Sequence, residues 1–227
     1  MAATRLYLPS TGSAAIDPAL GAWTQTTGRI QRKAVSTRIS SAMTNHAIPE
    51  AAGNDVNGLA RQYITDPVSA QTITGTVKGQ ARVCAVAVAV SAMSQMLIRV
   101  VSNNGSTYRG TLIDFNNAPV SAVAAAAYTN RHFPHLPTTQ TSITVSAVAA
   151  LAGDRIVIEI GSRMKVGGES GVGINFGDNS VTDLGENLTD TAANNPWIEF
   201  SADLFTAAGG AAAEDTRIYM TLMGVGV

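Results

Sequence analysis

Polar and apolar side chains alternate along most of this chain, which is the period of strands that turn one face to a core. In residues 71–79, Ile73 and Val77 share one face and Thr72, Thr74, Thr76 and Lys78 the other. Residues 82–89 set Cys84, Val86 and Val88 against Val83, Ala85 and Ala87. Residues 95–101 are apolar and run into the turn-forming Ser102-Asn103-Asn104-Gly105, after which 108–115 reads as a strand. Residues 141–151 alternate Ile143, Val145 and Ala147 with Ser142, Thr144 and Ser146. The turn Ala152-Gly153-Asp154 leads into 155–160, where Ile156, Ile158 and Ile160 point inward. A Gly-rich strand at 170–176 and strands at 196–201 and 216–223 close the set, the last adding Ile218, Met220 and Leu222 to the core.

Helices are not part of this pattern. The run Ala122 to Ala127 has the composition of a short helix but lacks large apolar side chains to dock one. Strands without crossover helices exclude a doubly wound or barrel α/β fold. The fold expected is all-β: an antiparallel β-sandwich of jelly-roll type over residues 61–227, preceded by an extended N-terminal arm and edge strand over 1–60.

That first segment carries Leu6, Leu8, Trp23, Ile30, Val35 and Ile39 spread over a long polar stretch, too few for a second core. An arm of this kind gains main-chain hydrogen bonds by adding to a sheet edge, its own or a neighbour's. Leu6, Leu8 and Trp23 are therefore the expected anchors of an interface, with Arg29, Arg32 and Lys33 as polar rim contacts that steer docking.

Composition narrows the partners. Of 227 residues 45% are hydrophobic and only 14% charged, against about 25% charged in ordinary soluble domains. Fifteen basic and sixteen acidic residues give a net charge of -1, which argues against a nucleic-acid coat or a polyacidic tail. A weakly charged surface of small side chains can be buried in an assembly at little desolvation penalty. The single cysteine, Cys84, reads as a buried apolar thiol. The start lacks the apolar segment of a secretory signal, and the longest apolar run, Val83 to Val90, is too short to cross a bilayer as a helix.

Candidate chemistry is sparse. His132 and His135 have a spacing that a loop could use for metal, but no Cys accompanies them. Gly168-Glu169-Ser170-Gly171 resembles a nucleophile elbow superficially, yet it precedes a strand and no helix. Asp178, Asp183, Glu186 and Asp190 cluster without the EF-hand pattern. The residue types complete no catalytic, metal or cofactor set, so the sequence expectation is a protein that is not an enzyme and requires no cofactor.

Three segments resemble small structural proteins of tailed bacteriophages: Thr4-Arg-Leu-Tyr-Leu-Pro9 followed by Trp23, Ala152-Gly-Asp-Arg-Ile-Val-Ile-Glu-Ile-Gly161, and Asn195-Pro-Trp-Ile-Glu-Phe-Ser201. The resemblance implies a virion component, assembled in the host cytoplasm, that decorates or links head, neck or tail proteins. Its partners would be other virion proteins and copies of itself, with no nucleic acid and no membrane insertion. The alternative is a carbohydrate- or receptor-binding sandwich of a phage fibre, with a host-surface glycan as partner.

Overall fold

A computed structural model describes residues 3–26, 30–48, 56–85, 93–115, 127–133, 135–136, 139–140, 142–164, 172–179, 181–189 and 192–206. Residues 122–126 of the Ala-rich run, the segment 168–171, Arg29 and the expected core residues Ile218, Met220 and Leu222 lie outside them. The described elements are all strands. They begin with β1 (Thr4–Tyr7), β2 (Gln31–Lys33), β3 (Thr44–Ile48), β4 (Val56–Ile64), β5 (Gln71–Ile73) and β6 (Thr76–Ala85). There follow β7 (Met93–Val101), β8 (Tyr108–Ile113), β9 (Thr129–Phe133), β10 (His135–Leu136) and β11 (Thr139–Gln140). The last are β12 (Ile143–Thr144), β13 (Val148–Ala150), β14 (Arg155–Met164), β15 (Val172–Phe176) and β16 (Trp197–Phe200).

Among the described residues the strands pair mostly antiparallel into a five-stranded sheet, β2-β4-β14-β7-β8, and a seven-stranded sheet centred on β6. Along one side of β6, β16 pairs with its first half and β15 with its second. Along the other side, β12 and β9 do the same. The outer partners β1 and β3 lie beyond β16 and β15. The inner faces meet in one core that joins Ile98, Ile156, Ile158 and Ile160 to Val77, Ile174, Phe176, Ile198 and Phe200. This is the antiparallel sandwich expected from the alternation, and Ile156, Ile158 and Ile160 are inside it.

Both flanks of the sandwich are stitched by the chain itself. On one flank β2 runs parallel to β4, and two residues on, Val35 exchanges backbone bonds with Tyr7 of β1 (2.8 and 3.2 Å). Five residues thus tie one sheet to the other. On the opposite flank β12 pairs with β6, the Ser146 amide donates to the Leu112 carbonyl of β8 at 3.0 Å, and β13 pairs with β5. The alternation expected through 141–151 breaks here. Val145 is buried, and the next buried residues are Val148 and Ala150, a change of phase where the chain leaves one sheet for the other. Stitched flanks withhold the unpaired main-chain groups that invite further strands.

The first sixty residues are part of this construction. Leu6 and Leu8 are fully buried in the core, the Tyr63 hydroxyl donates to the Leu8 and Pro9 carbonyls, and β4 runs through the boundary expected at residue 60. Of the two sheets open to it, the N-terminal arm lies on its own. A four-residue strand next to a proline reads the same in sequence whether it covers its own sheet or another.

Residues 14–23 add a layer on the outer face of the five-stranded sheet. Ala14 and Ile16 pack on Ile64, Val101 and Val157, while Leu20 and Trp23 pack with Leu59, Leu97 and Phe115. The central strand β14 is therefore covered on both faces.

Candidate functional site

The outer layer is fixed by one carboxylate. Glu159 stands at the middle of β14 on its outward face and is fully buried. Its Oε1 accepts from Arg99 Nη2 at 2.6 Å and from Gln62 Nε2 at 2.8 Å. Its Oε2 accepts from Trp23 Nε1 at 2.8 Å and from the Gly21 amide at 3.1 Å. A buried carboxylate is tolerable only when its lone pairs are filled in this way. Gln31 Nε2 extends the network by donating to both Gln62 Oε1 and Asp17 Oδ1, each at 2.7 Å. Arg99 Nη2 also donates to the Ala19 carbonyl at 2.8 Å.

Two glycines make the room. A Cβ at Gly21 would collide with Leu97 and stand 2.7 Å from Glu159 Oε2. A Cβ at Gly161, next but one along β14, would collide with the Gly58 carbonyl and stand 2.5 Å from the Trp23 ring. Trp23 seats itself over Gly161 and meets the Phe115 ring edge-on, with centroids 4.5 Å apart.

Beside this pin lies a surface cavity of about 200 Å³, lined by Gly21, Leu97, Arg99, Tyr108, Asp114 and Phe115 among others. Tyr108 is 58% exposed and its hydroxyl shares a 2.7 Å hydrogen bond with Thr111. Arg99 Nε is buried without a hydrogen-bond partner. The cavity thus combines an exposed aromatic ring, a guanidinium edge, a carboxylate and apolar walls. That set suits a small polar ligand with one apolar face.

The residues expected to form an interface are divided by the structure. Leu6 and Leu8 belong to the core, and Trp23 belongs to the outer layer, so none of the three projects as an anchor for a neighbour. Arg32 donates from Nε to the Ser10 carbonyl at 2.8 Å, and Lys33 pairs with Asp66 at 2.7 Å near the surface. Trp197 is buried under the Arg5 guanidinium, which sits 3.9 Å from its ring centroid.

The acidic loop is held by cations. Asp178 is fully buried and takes a two-pronged contact from Arg38 at 2.6 and 2.9 Å. Asp183 pairs with Arg5 at 2.8 Å and Glu186 with Arg131 at 3.0 Å. His132 Nε2 lies 3.0 Å from the Leu184 carbonyl, and its Nδ1 3.5 Å from Glu186. These pairings draw the 178–189 loop onto β1 and β9. The Glu159 network and the cavity were not anticipated, because a glutamate alternating with isoleucines reads as solvent-facing. The available signal was Val157, an apolar residue on that same outward face.

No family model and no curated protein matches the chain. Among solved structures, it is similar to a CocE/NonD family hydrolase from Staphylococcus aureus at 15% identity, TM-score 0.29, covering 88% of this chain and 34% of that one. It is also similar to a chain in the structure of infectious bursal disease virus, Gx strain, at 13% identity, TM-score 0.24, covering 86% of this chain and 42% of that one. The chain spans under half the length of each. The expectation that this protein is not an enzyme is withdrawn, a hydrolase being among the structures it is similar to. A superposition this loose equally carries no argument for hydrolysis. Among the described residues no helix is long and apolar enough to cross a membrane. What stands is the architecture, a two-sheet antiparallel β-sandwich with a pinned outer layer.

Proposed function

We propose that the chain is a structural component of a tailed-bacteriophage virion, present in repeated copies and contacting copies of itself and other virion proteins. The observation that carries the reading is the double stitching of the flanks by residues 31–35 and 143–148. It makes a rigid block that holds its shape without a partner and leaves broad faces and loop ends for contact. The composition supports it, since a surface with so few charges can be covered at low desolvation cost. The resemblance of the segments around Leu6, Ile158 and Trp197 to phage structural proteins points the same way. Sedimentation of the purified chain, paired with incorporation of a tagged copy into particles, tests it. Concentration-dependent association together with incorporation is expected. A chain that stays monomeric at high concentration and is left out of particles contradicts it.

A second reading, recognition of a host-surface glycan, is favoured by the exposed Tyr108 ring beside the guanidinium edge of Arg99. A sugar ring can stack on an aromatic face while its hydroxyls meet charged groups. Saccharide titrations followed at the Tyr108 ring by NMR, with Tyr108→Ala as control, distinguish this reading from the first.

A further inference from the structure

Arg61 is 3% exposed, on the inner face of β4 where it packs into the sandwich. Its guanidinium lies over the Phe176 ring, 4.3 Å from the centroid. Its hydrogen bonds are two long ones, from Nη1 to the Tyr63 hydroxyl and from Nη2 to Thr44 Oγ1, both 3.4 Å. Nε has no partner, and no carboxylate of a described residue forms an ion pair with this side chain. A guanidinium taken out of water without a counter-charge is among the most unfavourable arrangements a core can hold. The other buried arginines end differently. Arg99 meets Glu159, and Arg82 donates to the Ala193 and Tyr128 carbonyls at 2.6 and 2.9 Å.

The sheet face that carries Arg61 carries further donors. Ser162 of β14 and Ser94 of β7 are cross-strand partners, both buried, and both hydroxyls lack a hydrogen-bond partner. Gly161 faces outward under Trp23, so Ser162 faces inward, on the same side as Ile160, which is the register partner of Arg61. From the opposing sheet, Thr44 and His46 come from β3, and His46 Nε2 is likewise buried without a partner. The charge of Arg61 reaches the His46 ring and, after burial, contributes to holding it in its neutral form. Thr44, the acceptor at the Nη2 end, is only half-buried.

We propose that this end of the sandwich interior is a binding site for a small anion, an oxyanion or a carboxylate, received by the Nε–Nη2 edge of Arg61. That edge is the one that grips two oxygens at once. Here it has one free N–H at Nε and only a long bond at Nη2. The Ser94 and Ser162 hydroxyls on the same inner face, and the His46 ring on the facing sheet, are the further donors. The proposal is independent of the virion reading.

The experiment uses the full chain and two probes, inorganic phosphate and acetate, at constant ionic strength. Thermal unfolding midpoints and the His46 ring signals in NMR are followed as each is titrated. A ligand that binds only the folded state raises its stability along a saturating curve. A saturable rise with at least one probe, together with a saturable shift of the His46 ring, is the expected result. Whichever probe saturates at lower concentration tells an inorganic oxyanion from a carboxylate. Arg61→Lys should weaken the response about tenfold, because a lysine loses the two-pronged grip. Arg61→Met should abolish it. Identical curves in wild type and Arg61→Lys overturn the proposal. If Arg61→Met does not fold, the wild-type His46 signals still decide, since no saturable shift with either probe overturns it.

Discussion

Trp23 Nε1 donates a 2.8 Å hydrogen bond to Glu159 Oε2, across 136 positions of sequence. The bond ties the outer layer to the central strand. It also turns a glutamate on a nominally exposed strand face into a fully buried one. Glu159→Ala should leave Arg99 buried and the Trp23 indole without its acceptor. Breaking a buried pair from one side costs about 3–5 kcal/mol. Denaturant unfolding of the variant measures it, and a loss below about 1 kcal/mol, the scale of an exposed pair, would show that water reaches this carboxylate.

Gly161→Ala tests the seat of Trp23. The added methyl has nowhere to go between the Gly58 carbonyl and the Trp23 ring. Overpacking of this kind costs about 1–3 kcal/mol. The indole should lift off β14, read as a red shift in tryptophan emission. The second tryptophan, Trp197, sits under Arg5 in the other sheet and should be unaffected in a Trp23-free background.

Deleting residues 1–28 removes β1, Leu6, Leu8 and the outer layer over β14 together. The shortened chain should fail to fold cooperatively, because each buried leucine alone is worth about 2–5 kcal/mol against a total stability of about 5–15 kcal/mol. A sharp unfolding transition in the shortened chain, seen by near-ultraviolet circular dichroism, would show the arm to be separable from the sandwich.

Burial, and then the charge of Arg61, hold the His46 ring below its ordinary value of 6.5. The folded state therefore binds a proton less readily than the unfolded state. The stability this contributes is fully present above 6.5 and is lost as the pH falls through the lower folded-state value. Unfolding curves from pH 7.5 downward should show stability beginning to fall near 6.5, and His46→Asn should remove that part of the slope. An unchanged slope in the variant would assign the effect to other groups.

The legible parts of the fold were those in which local chemistry and tertiary context agree. The isoleucines of β14 alternate beside the turn at 152–154, and Ser102-Asn103-Asn104-Gly105 closes the β7–β8 hairpin, with the Gly105 amide donating to the Ser102 carbonyl at 2.8 Å. Other parts were hidden because alternation states only that a residue has two sides, not what covers them. Leu6 and Leu8 alternate equally well on a neighbour's sheet and on their own. Glu159 looks solvent-facing until residues 14–23 are folded over it. The break at residues 145–148 is a crossing between sheets, which a single period cannot express. The strand expected over 71–79 is divided by Gly75, whose φ of 96° turns the chain between β5 and β6 while leaving Ile73 and Val77 both in the core. No strand was expected through Arg61, and its environment comes from β3 and β15.

The central claim is that this sandwich is a repeated building block of a virion. Electron cryomicroscopy of purified native particles tests it most directly. The account expects density for a two-sheet sandwich with both flanks closed, repeated under the particle's symmetry and in face or loop contact with its own copies. Particles that contain no such density, and no peptide of this chain by mass spectrometry, would contradict it.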